Sequence, residues 1–213
     1  MGNQKTVYIV RHGETDYNLR GIVQGSGVDS SLNHTGRQQA GHFHQHYGEE
    51  DFEVVLTSGL KRTWETVSPF IDGGLPWERH ESINEICWGS HEGKLGTPDS
   101  IAEYQRIKNG WTAGELDGRI GGGESARELG ERLERFIDHL DERPESKILV
   151  CSHGRAMCGL ITLMMGKPIS MMNELKHNNV GLWIGEQQPN GLYHFHTRND
   201  RRHLPGPQTL GAW

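Results

Sequence analysis

The chain has 213 residues, of which 33% are hydrophobic, and this length fits one domain with a buried core. With 22 basic and 28 acidic residues, its formal charge of −6 argues against a general nucleic-acid-binding protein, which would carry a basic excess. No apolar run approaches the roughly 20 residues of a membrane-spanning helix, so we expect neither nucleic acid nor a membrane as a partner. The three cysteines form no CxxC pair, which favours a reducing compartment, and we expect a cytoplasmic protein.

The segment MGNQKT at 1–6 matches the short pattern for N-myristoylation, with glycine at position 2 and threonine at position 6. Thr6 also begins the first predicted strand, which would leave little free tail for a lipid anchor. A chance match is therefore the favoured interpretation, and whether Gly2 carries a lipid stays open. No hydrophobic signal-peptide segment is present, and the tail from residue 205 onwards is expected to be loosely held.

Short apolar strands alternate with helices along the chain. In chain order we predict a strand at 6–10, a helix at 35–46, a strand at 54–57, helices at 60–71 and 125–140, a strand at 146–152, a helix at 155–165, and strands at 180–184 and 193–197. The helix at 125–140 has the clearest pattern, because Leu129, Leu133, Phe136 and Leu140 repeat on one face. Such alternation predicts an α/β fold, a three-layer α/β/α sandwich with a mostly parallel central sheet.

The region 94–123 departs from this alternation. It is rich in glycine and contains only a short helical patch around 101–108. We interpret it as an insertion over one end of the sheet, a candidate lid or substrate wall, within a single domain that spans 1–213.

Polar residues follow three of the predicted strands. Arg11 and His12 come directly after the first strand, Arg62 lies shortly after the second, and His153 follows the strand at 146–152. Ligands of open α/β sheets bind beyond the carboxyl ends of the strands, so we expect these side chains to meet at one edge. Two imidazoles and two guanidinium groups in an acidic chain predict an anionic ligand, and the planar donor fork of arginine suits phosphate.

The segment VRHGETDYN at 10–18 resembles the signature of the histidine phosphatase superfamily, in its phosphoglycerate mutase-like branch (branch 1). Further blocks that resemble the family follow in order: QGSGVDSSLNHTGRQQA at 24–40, SGLKRTWET at 58–66, NEICWGSHEG at 84–93, GGES at 122–125, and CSHGRAM at 151–157. Asn199 and His203-Leu204 are similar to its closing element. The resemblance covers nearly the whole chain and implies a phosphoglycerate mutase-like fold.

The resemblance implies roles for the matching positions. His12 would be the nucleophile that forms a phosphohistidine, and Glu85 would be the general acid that protonates the leaving alkoxide. The side chains that would surround the phosphoryl group are those of Arg11, Arg62 and His153. Further contacts to the substrate would come from four residues: Asn18, Gln24, Gly25 and Gly154. The resemblance implies neither a metal nor another cofactor.

Two departures from the family bear on the substrate. Ile22 and Val23 stand where fructose-2,6-bisphosphatase-like chains carry an arginine for a second phosphate. Mutase-like members carry an adjacent arginine pair in a longer insertion, whereas the basic residues here are scattered: Lys94, Arg106, Lys108 and Arg119. A shorter lid favours hydrolysis over transfer because it admits water. Three residues are candidates for the pocket wall: Trp88, Tyr104 and Arg155.

We therefore predict a phosphomonoesterase that acts on a small soluble phosphate ester and releases inorganic phosphate. The alternatives are a phosphoglycerate mutase that depends on 2,3-bisphosphoglycerate, a catalytically silent protein that binds a phosphorylated ligand, and a metal-dependent hydrolase. No metal site is predicted from His42, His44 and His46, because on a helix they do not share one face and zinc normally needs three protein ligands. The physiological substrate and the oligomeric state are left open.

Overall fold

The computed structural model describes residues 4–206. Gly2 lies outside the described residues, and so do residues 207–213 of the tail that we expected to be loosely held.

The centre of the molecule is a six-stranded sheet in the order β3-β2-β4-β1-β5-β6. Its strands are β1 (Thr6–Arg11), β2 (Val54–Thr57), β3 (Trp77–Arg79), β4 (Lys147–Ser152), β5 (Leu182–Gln187) and β6 (Tyr193–Asp200). The pairings from β3 through β2 and β4 to β1 are parallel, whereas β5 runs antiparallel to both of its neighbours. The predicted mostly parallel sheet is confirmed.

Helices cover both faces of this sheet. They are α1 (Asp16–Arg20), α2 (His34–Tyr47), α3 (Lys61–Asp72), α4 (Pro98–Thr112), α5 (Ala126–Glu142) and α6 (Gly154–Met164). Along β1, Val7 and Ile9 face a core shared with α5 and α6, while Tyr8 and Val10 face a second core shared with α2 and α3. Successive strand residues point to opposite faces, so this alternation produces the three predicted layers. Within 4–206, no helix has the length and apolar character needed to cross a bilayer.

The region 94–123 differs from the prediction in its helix. Instead of a short patch at 101–108, α4 runs for 15 residues from Pro98 to Thr112. The Thr97 hydroxyl oxygen accepts a hydrogen bond from the Ser100 amide, and Pro98 occupies the first turn, so the N-terminus is strongly defined. Of its side chains only Ile107 and Trp111 are buried, which explains why its apolar periodicity was too weak to predict the full length.

Three smaller features were not predicted correctly. The edge strand β3 has three residues, two of them charged and exposed, so it lacks an apolar pattern. The five-residue helix α1 has no buried residue. The strand predicted at 180–184 begins instead at Leu182, because Val180 adopts a left-handed backbone conformation with φ of 49° that interrupts the extended chain.

Candidate active site

The register of the central strands determines where the two histidines lie. Arg11 at the end of β1 pairs with Ser152 at the end of β4, so the residues that follow, His12 and His153, are neighbours. Their ring centroids are 5.2 Å apart. On the other side of β4, Thr57 pairs with Cys151, and α3 begins just beyond β2 and carries Arg62. The structure thus brings together the side chains that follow three parallel strands.

The imidazole of His12 is buried and has a defined tautomer. Its Nδ1 lies 2.7 Å from the carbonyl oxygen of Gly13, which can only accept a hydrogen bond, so Nδ1 carries the proton. The other nitrogen, Nε2, has no hydrogen-bond partner among the described residues. Burial holds the pKa of His12 well below its ordinary value of 6.5, and the cations of Arg62 and Arg11 lower it further. The ring therefore presents an unprotonated Nε2.

His153 takes part in a chain of hydrogen bonds that orients Arg62. The Nε of Arg62 donates to His153 Nδ1 at 3.1 Å, so the ring proton must be on Nε2, which donates to the Ser58 hydroxyl at 2.7 Å. The Ser58 hydroxyl is 2.9 Å from that of Thr63, which donates to the carbonyl of Leu60 at 2.8 Å. Burial, and then the cation of Arg62, hold the pKa of His153 well below its ordinary value.

Arg62 is fully buried and held by a loop of the N-terminal region. Its guanidinium donates to the carbonyl oxygens of Val28 at 2.6 Å and Gly25 at 3.3 Å. Burial lowers its pKa to about 10, so it stays charged at neutral pH. A Cβ at Gly25 would lie 2.7 Å from the backbone carbonyl oxygen of Ile86, so a larger residue at this position would require the backbone to shift. Gly25 thus acts through its carbonyl, by holding Arg62.

Arg11 lies on the other side of the histidines. It donates to the carbonyl oxygen of His177 at 2.8 Å, while its buried Nε has no protein partner. A Cβ at Gly154, the first residue of α6, would lie 3.5 Å from Cζ of Arg11, an ordinary van der Waals distance, so the start of α6 lies beside the guanidinium. An unpaired buried donor of a cation is costly unless a ligand satisfies it, which favours an anion at this position.

Glu85 lies against the N-terminus of α6 and is 8% exposed. Its Oε1 accepts from the backbone amides of Ile86 at 3.0 Å and Ala156 at 2.9 Å, and its Oε2 accepts from that of Arg155 at 3.1 Å. The N-terminus of a helix attracts negative charge, and three amide donors hold the carboxyl group in one orientation. Oε2 accepts one hydrogen bond from these amides, whereas Oε1 accepts two, so Oε2 has more lone-pair capacity left for a further partner.

Asn18 and Gln24, the two remaining residues that were predicted to contact the substrate, lie around Thr15. The side-chain oxygen of Asn18 accepts from the Thr15 amide at 3.2 Å, and that of Gln24 accepts from the Thr15 hydroxyl at 3.1 Å. Asn179, which the sequence analysis did not single out, donates to the carbonyl of His12 at 2.9 Å and to Asn18 at 3.3 Å. Asn179 lies in a loop without a motif of its own. Asn179 is identified as a residue of the site only by the fold, which places it beside the end of β1.

Within 4–206, one group of side chains could hold a metal ion, and it lies away from the two histidines. Glu78, His80 and His139 offer ligand atoms within 4.8 Å of one another. The guanidinium of Arg143 already donates to both oxygens of Glu78 at 2.8 Å and lies 3.0 Å from Nε2 of His139. The positively charged guanidinium of Arg143 therefore already binds the side chains that a metal ion would need as ligands.

The burial of His177 predicts a loss of stability in acid. Its two ring nitrogens have no protein partner, and burial lowers its pKa to about 3, with Arg11 and Arg155 contributing. Below its ordinary pKa of 6.5 the unfolded chain binds a proton that the folded chain excludes, so stability falls as the pH drops from 6.5 towards 3. Between about pH 7.5 and 5.5, the wild type should lose about 1.4 kcal/mol more than His177→Gln.

Urea unfolding of both proteins at the two pH values measures this difference. His194→Gln, which removes an exposed imidazole, is the matched control. Equal losses in the wild type and His177→Gln would contradict the prediction.

The fold and this site define an α/β protein with two buried neutral imidazoles and two arginines at the carboxyl edge of a parallel sheet. The model of the histidine phosphatase superfamily (branch 1) matches residues 7–201. The chain belongs to this superfamily.

Relatives and a solved structure cover almost the whole chain. "Probable phosphoglycerate mutase GpmB" of Serratia proteamaculans is 33% identical and covers 94% of this chain and 95% of its own. "Probable phosphatase C1687.21" of Schizosaccharomyces pombe is 31% identical, over 95% of this chain and 97% of its own length. The crystal structure of the alpha-ribazole phosphatase from Shigella flexneri superposes with a TM-score of 0.80 at 24% identity, over 96% of this chain and 100% of its own. At this identity, the similarity to the Shigella flexneri structure supports the fold alone.

Proposed function

We propose that the protein hydrolyses phosphate monoesters of small molecules through a phosphohistidine at His12. The observation that carries this proposal is the buried imidazole whose protonated Nδ1 is bonded to a carbonyl and whose unprotonated Nε2 is free. A neutral nitrogen of this kind is the nucleophile that phosphoryl transfer requires. The flanking cations of Arg11 and Arg62 would neutralise charge on the equatorial phosphoryl oxygens.

Two displacement steps follow from this arrangement. In the first, Nε2 of His12 bonds to phosphorus while the ester P–O bond breaks, and Glu85 gives a proton to the leaving oxygen. In the second, water bonds to phosphorus as the P–N bond breaks, and Glu85 takes the proton from that water. Inorganic phosphate then leaves, and the imidazole and carboxyl group return to their starting states.

We propose that His153 acts mainly by orienting Arg62. Both of its ring nitrogens are engaged, one by Arg62 and one by Ser58. A direct contact to the phosphoryl group, as the family resemblance implies, would require the bond to Ser58 to be exchanged. Ser58 is therefore a positioning residue in this proposal.

The comparisons favour an enzyme and leave its reaction class to be tested. One relative is named a phosphatase and another a phosphoglycerate mutase, so the second candidate function is transfer between two positions of phosphoglycerate. A catalytically silent binding protein is disfavoured, because no member of the predicted constellation has been lost. The single domain over 1–213, the action of 94–123 as a substrate wall and the cytoplasmic location remain predictions.

Steady-state hydrolysis of para-nitrophenyl phosphate tests the proposed function. We expect release of inorganic phosphate at the same rate with and without a strong chelator, because arginines rather than a metal ion would neutralise the phosphoryl charge. A parallel assay follows conversion of 3- to 2-phosphoglycerate, with and without 2,3-bisphosphoglycerate. Conversion without release of phosphate would establish the mutase instead, and loss of hydrolysis in chelator would establish a metal-dependent hydrolase.

A further inference from the structure

A loop at residues 177–181, which leads into β5, contacts Arg11 at three points. The carbonyl oxygen of His177 accepts a hydrogen bond from the Arg11 guanidinium at 2.8 Å. The backbone amide of Val180 donates to the carbonyl of Arg11 at 3.0 Å, and the amide of Arg11 donates to the carbonyl of Gly181 at 3.3 Å. This loop therefore positions both the side chain and the backbone of Arg11.

The same loop contacts the residue that follows Arg11 in the chain. The side-chain amide of Asn179 donates to the carbonyl oxygen of His12 at 2.9 Å. His12 is the nucleophile of the proposed function, so the 177–181 loop is bonded to two consecutive residues of the site. The conformation of this loop therefore determines where both residues lie.

Asn199, near the end of β6, holds this loop with two hydrogen bonds. Its side-chain oxygen accepts from the backbone amide of Asn178 at 3.0 Å, and its side-chain amide donates to Oδ1 of Asn178 at 2.8 Å. A backbone N–H group can only donate, so this pairing fixes the orientation of the Asn199 amide. Asn178 is 8% exposed, and the loss of a partner for its buried backbone amide would be costly.

The backbone of β6 is irregular where Asn199 lies. Leu182 pairs with Asp200 and Ile184 pairs with Thr197, so two steps along β5 face three steps along β6. Asn199 has a φ of 49°, a left-handed conformation that asparagine adopts more readily than most residues. Bulges of this kind redirect side chains and are frequent beside active sites. Here the bulge accompanies the two bonds from Asn199 to the loop.

We propose that Asn199 is a positioning residue for phosphoryl transfer, which acts through the 177–181 loop on the guanidinium of Arg11. This inference rests on the proposed function and adds to it a residue that does not touch the substrate. The bond from Arg11 to His177 leaves the buried Nε of Arg11 without a partner among the described residues. The loop thus sets the direction in which this donor meets the phosphoryl oxygens. Loss of Asn199 would keep the charge of Arg11 but change its orientation.

Asn199→Gly tests this role, because glycine adopts the left-handed conformation without strain and removes both hydrogen bonds. We expect kcat for para-nitrophenyl phosphate to fall by about 10- to 100-fold, since a small displacement of a charged group has effects of this size in the transition state. Calorimetry should show that the affinity for inorganic phosphate falls by less than about threefold, because Arg62 still binds it. Orthovanadate, which adopts the five-coordinate geometry of the transition state, should bind more weakly by about the factor lost in kcat.

Two further variants separate the bonds of Asn199 from a general change in β6. Asn199→Asp keeps an acceptor for the Asn178 amide, and its second oxygen accepts from the Asn178 side chain once that side chain turns over, so kcat should be restored to within about threefold of the wild type. Asn190→Gly makes the same exchange at the other end of the β5–β6 hairpin, where the Asn190 side chain accepts from the amide of Leu192 at 3.1 Å. This matched control should have the kcat of the wild type.

A double-mutant cycle shows whether the effect passes through Arg11. In an Arg11→Lys background the guanidinium is absent, so adding Asn199→Gly should weaken vanadate binding by less than about threefold. An equally large loss in both backgrounds, or equal losses of phosphate and vanadate affinity in Asn199→Gly, overturns the proposal.

A second variant keeps the proposal testable if Asn199→Gly does not fold. Asn178→Ala removes one of the two hydrogen bonds and leaves the other. We expect it to weaken vanadate binding by about threefold or more, with phosphate binding unchanged. Unchanged vanadate binding in this variant overturns the proposal.

The outcomes separate this role from the proposed function. Absence of hydrolysis by the wild type overturns the proposed function, and the affinities for vanadate and phosphate then decide the role of Asn199. Hydrolysis by the wild type together with an unchanged kcat in Asn199→Gly overturns the positioning role alone.

Discussion

His12→Ala is expected to lower kcat for para-nitrophenyl phosphate by a factor on the order of 10⁵ or more, because the variant loses the only group that attacks phosphorus. The cations of Arg11 and Arg62 remain, so inorganic phosphate should still raise the thermal unfolding temperature of the variant. Steady-state kinetics and thermal unfolding with and without phosphate measure the two effects. Retained binding together with lost turnover separates a missing nucleophile from a missing fold.

The matched control for this prediction is His34→Ala, which removes an exposed imidazole from the start of α2. We expect its kcat to equal that of the wild type. If His12→Ala binds phosphate, folds, and still turns over within about tenfold of the wild type, His12 is not the nucleophile.

Glu85→Gln is expected to lower kcat by a factor that depends on the leaving group. For an alkyl phosphate such as glycerol 3-phosphate, whose alkoxide needs a proton to leave, we expect a loss of about 10²- to 10⁴-fold. Para-nitrophenolate leaves without protonation, so the loss for its ester should be much smaller. Comparison of kcat for the two esters, in the wild type and the variant, measures the difference.

The amide of glutamine has nearly the shape of the carboxyl group, but the backbone amides of Ile86, Arg155 and Ala156 prefer an oxygen to an NH₂ group. Glu134→Gln on the exposed face of α5 controls for the change of charge. Equal losses for both esters would show that Glu85 acts through structure rather than by transferring a proton.

Much of the fold follows from strong local patterns. β1, β2 and β4 were predicted within one residue of their bounds, because buried parallel strands are continuous apolar runs. The helix α5 was predicted because its apolar residues repeat regularly on one face. The edge strand β3 and the helix α4 lack such patterns, since their stability comes from tertiary contacts made by few side chains.

The candidate site was predictable to the extent that its residues follow strands directly. The rule that ligands bind beyond the carboxyl ends of strands was enough to group His12, Arg62 and His153. This rule could not show how these side chains interact. The two ring nitrogens of His153 are hydrogen-bonded to Ser58 and Arg62, and these bonds depend on the orientation of the ring, which no sequence pattern encodes.

The central claim is that phosphorus becomes covalently bonded to Nε2 of His12 during turnover. The most direct test is rapid quenching of the wild type with substrate in alkali, followed by phosphorus NMR and peptide mapping. The account predicts an acid-labile phosphoramidate on His12, formed at a rate at least equal to kcat and absent from His12→Ala. Multiple turnovers with no phosphorylated His12 at any quench time, or with phosphate on another side chain, would contradict it.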